Sequence, residues 1–325
     1  MVNITNNCLF QNYTEYCTIV EVTVRSISVL SAVCAIIVLV LIFLIQRYKF
    51  VSQRLILYLV ISTLLDAITL ALGGLDLSES AACTAEGFFR MLLRWNLVVW
   101  VCSITVNLFW NVVVGRRSNR YLEIGYVIFG VVIPIGFSVF PFINSSYGPA
   151  GIWCWITNKT YAGKILRFGI WYVPLWIIIG GIFIIFLIII VKLLFKVKRW
   201  TLYNSQNDKK KDKIRNEIKS LFLYPIFFLV INIFPIANRI QNVIVPNHPL
   251  FPLYLLHAIS TPLLGLGFTM LFVVNKDTLR DLKWSNFKTT LLTRFKSNST
   301  GKIKEIDVEG TTKIDEHTVV IKHLA

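Results

Sequence analysis

The 325-residue chain is 55% hydrophobic and 14% aromatic, with only 15% charged residues, where soluble chains average about 25% charged. A soluble enzyme, a disulfide mini-protein and a nucleic-acid binder built on the net charge of +16 are thereby excluded. What remains is a polytopic membrane protein.

In chain order, residues 1–22 read as an extracellular N-terminus with no basic flank and no long apolar core, so no cleavable leader is expected and the first span serves as the insertion signal. Seven apolar segments follow, near 23–45, 55–74, 86–114, 124–143, 168–194, 220–245 and 253–274. Each suits the roughly 20 residues of a bilayer helix and is about twice a barrel strand's length. In lipid a helix satisfies its own backbone hydrogen bonds, which makes 23–274 an all-α seven-transmembrane helix bundle. Residues 275–284 place Leu279, Leu282 and Trp284 among charges, as in a short membrane-surface helix. The polar, Ser- and Thr-rich 285–325 is expected to be a disordered cytoplasmic tail.

Lys and Arg crowd the connections after the first, third and fifth spans and the tail, leaving only Arg25, Lys159 and Lys164 on the opposite side. The positive-inside rule puts the N-terminus outside and the C-terminus in the cytoplasm. Sequons at Asn3, Asn12 and Asn158 fall on the outer side and are the expected glycosylation sites. The sequon at Asn144 lies too near the membrane, and that at Asn298 falls inside.

Of six cysteines, Cys34 and Cys102 lie within spans as small packing residues. Cys8, Cys17, Cys83 and Cys154 face the oxidising side. A Cys83–Cys154 bridge pins the second outer loop over the third span and is the leading pairing, with Cys8–Cys17 a second candidate.

Cys83-Thr-Ala-Glu-Gly-Phe-Phe89, Tyr147-Gly-Pro-Ala-Gly-Ile-Trp-Cys-Trp-Ile156, Leu223-Tyr-Pro225 and Asn238-Arg-Ile-Gln-Asn242 resemble the slime-mould cyclic-AMP receptors and their plant, fungal and animal relatives, a G-protein-coupled receptor family. The likeness runs over roughly residues 20–285. The rhodopsin-like Asp-Arg-Tyr is replaced here by Trp110-Asn111 and Gly115-Arg116-Arg117, and Asn-Pro-x-x-Tyr is missing from the seventh span. With no Lys in that span, a retinal Schiff base is excluded. Only His257 of four His lies in a span, so no zinc hydrolase can be assembled; the usual hydrolase and phosphate-loop motifs are absent. No cofactor or metal is implied.

Charges inside spans face an interior, a cavity or a partner. Glu86, Arg90 and Arg94 recur every fourth residue and share one helix face. At 1.5 Å per residue, Arg90 lies about 10 Å and Arg94 about 16 Å below Cys83, a depth shared by Asn238, Arg239 and His257. Trp153, Trp155, Lys164 and Arg167 lie above them. Together these ten residues form the expected ligand site. A structural account competes: Glu86 pairs with Arg90, Arg239 meets Asp76 or Glu79, and the tryptophans anchor at the interface. The family name suggests a cyclic nucleotide, yet Glu86 can neutralise Arg90, so the residues support a small polar or anionic ligand rather than cyclic AMP specifically.

Deeper, Asp66 sits about 16 Å from the inner end of its span, and is grouped with Asn107, Asn111 and Asn232. These read either as interhelical hydrogen-bonding glue or as a network that repacks on activation. Pro225 and Pro235 make the sixth span the one that bends. On the inner face, Arg116, Arg117, Lys196, Lys198, Arg199, Lys213 and Arg215 attract anionic membrane lipids and, by the resemblance, lie where a heterotrimeric G protein docks. The reading is a plasma-membrane receptor. The rival, a transporter or channel, lacks matching half-repeats and regularly spaced carboxylates.

Overall fold

The computed structural model describes residues 14–46, 48–74, 80–116, 118–150, 153–157, 161–201, 208–245, 250–275 and 278–279, with backbone alone at 14, 194, 196–201, 208–220 and 243. Asn3, Asn12, Asn158, Cys8, Asp76, Glu79, Arg117 and the segment from 280 onward lie outside the described residues. The chain divides into a unit ending at Asp281 and a second unit, Leu282–Ala325. Among the described residues, seven helices are long and apolar enough to cross a membrane.

Helix α1, Thr14–Leu44, starts ahead of its apolar window. Helical hydrogen bonds are local and do not stop where hydropathy does, and Glu15 in the first turn suits the positive end of the helix dipole. Glu21 pairs with Arg25 at 2.8 Å, and Arg25 donates to the Gly73 carbonyl at 3.0 Å, tying α1 to the end of α2, Val51–Leu72. Helix α3, Ala81–Phe109, is capped by Ser80, whose hydroxyl accepts from the Cys83 N–H at 3.2 Å. It runs on through a π turn, Trp110–Val114, and stops at Gly115 with φ of 74°. Helix α4, Arg120–Val139, is capped by Asn119, which accepts from the Leu122 N–H at 3.0 Å.

Strands β1, Tyr147–Pro149, and β2, Cys154–Ile156, pair antiparallel as a short hairpin. Helix α5 comprises Tyr161–Leu166, a π turn Arg167–Tyr172 and the stretch Val173–Thr201. Helices α6, Asp208–Ile244, and α7, Phe251–Val274, complete the bundle. α6 contains Pro225 and Pro235, each removing a backbone donor.

α3 is the most buried helix and α5 the least. Trp95 on α3 is fully buried, stacked on Phe137 of α4 with ring centroids 4.3 Å apart and meeting Trp171 of α5 edge-on at 5.4 Å. α4 can approach α3 because Gly130 has no side chain: a Cβ there would lie 2.8 Å from the Trp100 ring. Asn96 exploits the approach, donating to the Gly130 carbonyl at 2.7 Å while its own carbonyl accepts from Trp100 Nε1 at 2.7 Å and from Ser62. At the bundle end away from the hairpin, Arg54 of α2 grips both carboxylate oxygens of Glu123 on α4, and Tyr58 donates to the same carboxylate at 3.2 Å. Arg54 also donates to the Tyr48 and Lys49 carbonyls at 3.1 and 3.0 Å. Neither the Asn96 junction nor this fork was foreseen, because both join residues far apart in sequence.

Candidate functional site

The bridge between Cys83 and Cys154, with Cα atoms 5.3 Å apart, sets the hairpin on the first turns of α3. Gly87 gives it room: a Cβ there would meet the Tyr147 ring at 2.7 Å. Tyr147 is buried and donates to the Ser138 carbonyl at 2.8 Å; burial pushes its hydroxyl pKa well above the usual value, so it stays a neutral donor. Cys17 is also disulfide-bonded, its partner lying outside the described residues. Cys34 and Cys102 are free.

Beneath the hairpin the bundle holds a cavity of about 110 Å³, room for several water molecules. From the expected ligand set, Arg90 and Arg94 of α3, Trp153 and Trp155 of the hairpin, Arg239 of α6 and His257 of α7 line it. The other four, Glu86, Lys164, Arg167 and Asn238, are not among its lining residues. Glu86 is consumed as a clamp: it accepts from the Gly74 N–H at 2.9 Å, from the Cys154 N–H at 3.3 Å and from Arg90 at 2.8 Å. It therefore joins the end of α2, the hairpin and α3 through one carboxylate. Arg167 is buried against β2, donating to the Ile156 carbonyl at 3.0 Å with its guanidinium 4.9 Å from the Trp155 ring centre. Asn238 is buried and bonds His257 Nδ1 at 2.8 Å. An amide nitrogen only donates, so Nδ1 accepts and the imidazole proton is left on Nε2. Lys164 is exposed.

The charges do not balance. Arg90 is answered by Glu86 at 2.8 Å and Arg94 by Asp66 at 3.0 Å. Among the described residues no carboxylate pairs with Arg239, whose guanidinium lies 5.1 Å from the Tyr172 ring centre and whose Nε has no hydrogen-bond partner. Arg90 in turn sits 5.5 Å from the Trp153 ring centre, and Trp153 packs against the cluster of Cys17, Val20, Val24 and Tyr254 on α1 and α7. Cation–aromatic contacts of this kind strengthen away from water.

The expected polar network is also redrawn. Asp66 does not join Asn107 and Asn111; it belongs with Arg94, directly behind the cavity. Asn107 donates to Ser52 at 3.1 Å and accepts from Ser118, while Asn111 accepts from the Ser118 N–H at 3.2 Å, so these two asparagines hold the chain after α3. Asn232 donates to the Phe228 carbonyl at 2.8 Å and, with Pro235, lines the cavity. Pro225 is buried in α6. Trp171, Tyr172 and Trp176 of α5 are cavity residues that the sequence reading missed. Trp171 and Tyr172 lie within a π turn and Trp176 follows it, and an extra residue per turn shifts the face that a 3.6-residue period would assign. Arg116 is exposed; Lys196, Lys198, Arg199, Lys213 and Arg215 lie on helical backbone without described side chains.

The model of the family described as slime mold cyclic AMP receptor matches residues 12–306. The chain is 27% identical over 234 residues to G-protein coupled receptor 1 of Arabidopsis thaliana, covering 70% of each chain. To Cyclic AMP receptor-like protein A of Dictyostelium discoideum it is 22% identical over 292 residues, 89% of this chain and 73% of that one. Cyclic AMP receptor 4 of Dictyostelium discoideum is 27% identical over 183 residues, 54% of this chain and 38% of that one.

Proposed function

The chain belongs to the slime mold cyclic AMP receptor family, and from that membership we propose that it is a plasma-membrane receptor that binds a small polar or anionic extracellular ligand and signals through a heterotrimeric G protein. The observation that carries the ligand half is Arg239, a cation without a described carboxylate partner lining a cavity under a disulfide-pinned hairpin. A guanidinium in such a place binds an acceptor by forked, charge-assisted hydrogen bonds. The aromatic rings of Trp155, Trp171, Tyr172 and Trp176 offer faces to the rest of the ligand.

Arg239, Pro235 and Asn232 all line the cavity from α6. A ligand drawn to Arg239 therefore acts on α6 beside a proline where the helix lacks a hydrogen bond. The far end of α6 carries Lys213 and Arg215, the side on which a G protein is expected. Ligand-dependent nucleotide exchange on a G protein in purified membranes tests this, alongside a flux assay that separates it from a transporter or channel. Arg239→Ala should reach the surface and weaken the exchange-active ligand by about 1.5–3 kcal/mol, the range for charged hydrogen bonds. Arg239→Lys should recover only part, because the fork is lost. Unchanged affinity in a surface-expressed Arg239→Ala would remove the site.

The distribution of Lys and Arg and the sequons support a hairpin end that faces outside. Glycosidase treatment should shift the wild-type band, and the shift should vanish when Asn3, Asn12 and Asn158 are changed to Gln. Asn298→Gln should leave it unaltered, and dependence on Asn298 would invert the topology.

A further inference from the structure

Asp66 does not line the cavity, yet it holds one of the cavity's cations. Its side chain is 4% exposed and lies 3.0 Å from Arg94 Nη2, whose own side chain is 14% exposed. The pair is held by charge without aligned hydrogen bonds: Asp66 Oδ1 and Arg94 Nη2 are buried with no hydrogen-bond partner. The rest of Arg94 is lightly used, with Nη1 donating to the Thr261 carbonyl of α7 at 3.4 Å. Arg94 thus lines the cavity while its charge is answered by Asp66.

Resting on the cavity being the ligand site, we propose that Asp66 is a positioning residue that sets the charge preference of that site through Arg94. With Asp66 in place, the Arg90 and Arg94 pairs are each close to neutral, and Arg239 is the one cation among the described lining residues left to meet an anion. The site then suits a ligand of one negative charge and disfavours a more highly charged one, since the buried Asp66 carboxylate repels any anion reaching Arg94. Attraction and repulsion over several ångströms act strongly here because the Asp66 and Arg94 side chains are buried. Removing the Asp66 charge raises the cavity's net positive charge and shifts its preference toward anions.

The test uses two probes of matched size, phenylacetate and phenylacetamide, titrated into purified receptor in lipid nanodiscs and followed by quenching of tryptophan fluorescence. Binding is assigned to the cavity by its loss in Arg239→Ala. Asp66→Asn should raise the ratio of phenylacetate to phenylacetamide affinity by about tenfold or more, and Asp66→Glu should restore the wild-type ratio. A purely structural role for Asp66 would weaken both probes alike and leave the ratio unchanged, which overturns the proposal. Where Asp66→Asn does not fold, Asp66→Ser is read by the same ratio. Arg239-sensitive binding with an unchanged ratio overturns the role of Asp66 alone; no Arg239-sensitive binding of either probe in the wild type overturns the cavity reading and this proposal together.

Discussion

Cys83→Ser and Cys154→Ser should each lose surface expression and ligand binding together, with a stability loss of about 2–5 kcal/mol, as for removal of a native disulfide. The bridge spans a sequence separation of 71, so its loss releases a long loop in the unfolded chain. In the folded chain it frees the hairpin that supplies Trp153 and Trp155 to the cavity and the Cys154 N–H to Glu86. The double serine variant should be no worse than either single one, because the second thiol has already lost its partner. Thermal unfolding and radioligand-type surface binding measure both effects. Active protein whose non-reduced digest shows both thiols free would refute the role assigned to the bridge.

Arg94→Ala should be more damaging to the fold than Arg239→Ala, although both side chains line the same cavity. Removing Arg94 leaves the Asp66 carboxylate, 4% exposed, without its counter-charge in the middle of the bundle. Breaking a buried pair from one side costs about 3–5 kcal/mol. Arg239 leaves no described carboxylate behind, so its loss should appear in binding rather than in stability. Asp66→Asn added to Arg94→Ala should recover most of the lost stability, since the buried group is then uncharged. Thermal unfolding of the four proteins in detergent decides it: a double variant as unstable as Arg94→Ala would mean that the stability comes from packing of the Arg94 stem, not from the ion pair.

The seven helices were legible because bilayer spans require continuous apolar length, and every one of the seven windows holds a helix. Their ends were less legible. α1 opens at Thr14 and α5 at Tyr161, ahead of their windows, because backbone hydrogen bonding continues through polar turns. The Cys83–Cys154 bridge was legible from the positions of its cysteines, and the shared face of Arg90 and Arg94 from their spacing of four. The same spacing rightly paired Glu86 with Arg90 but did not reveal that Glu86 also holds Gly74 and Cys154.

The chain's own order of residues thus determined what depends on neighbours along the chain: the family likeness, the helical spans, and which side chains share a helix face. Only the tertiary structure decided which faces meet. Asp66 with Arg94, Arg54 with Glu123, Asn238 with His257 and Trp95 with Trp171 are all contacts between different helices. Nothing in the periodicity of one helix sets its rotation and depth against another; those are set by the packing of whole helix surfaces, by glycines that allow close approach as at Gly130, and by the π turn that rotates Trp171 and Tyr172 of α5.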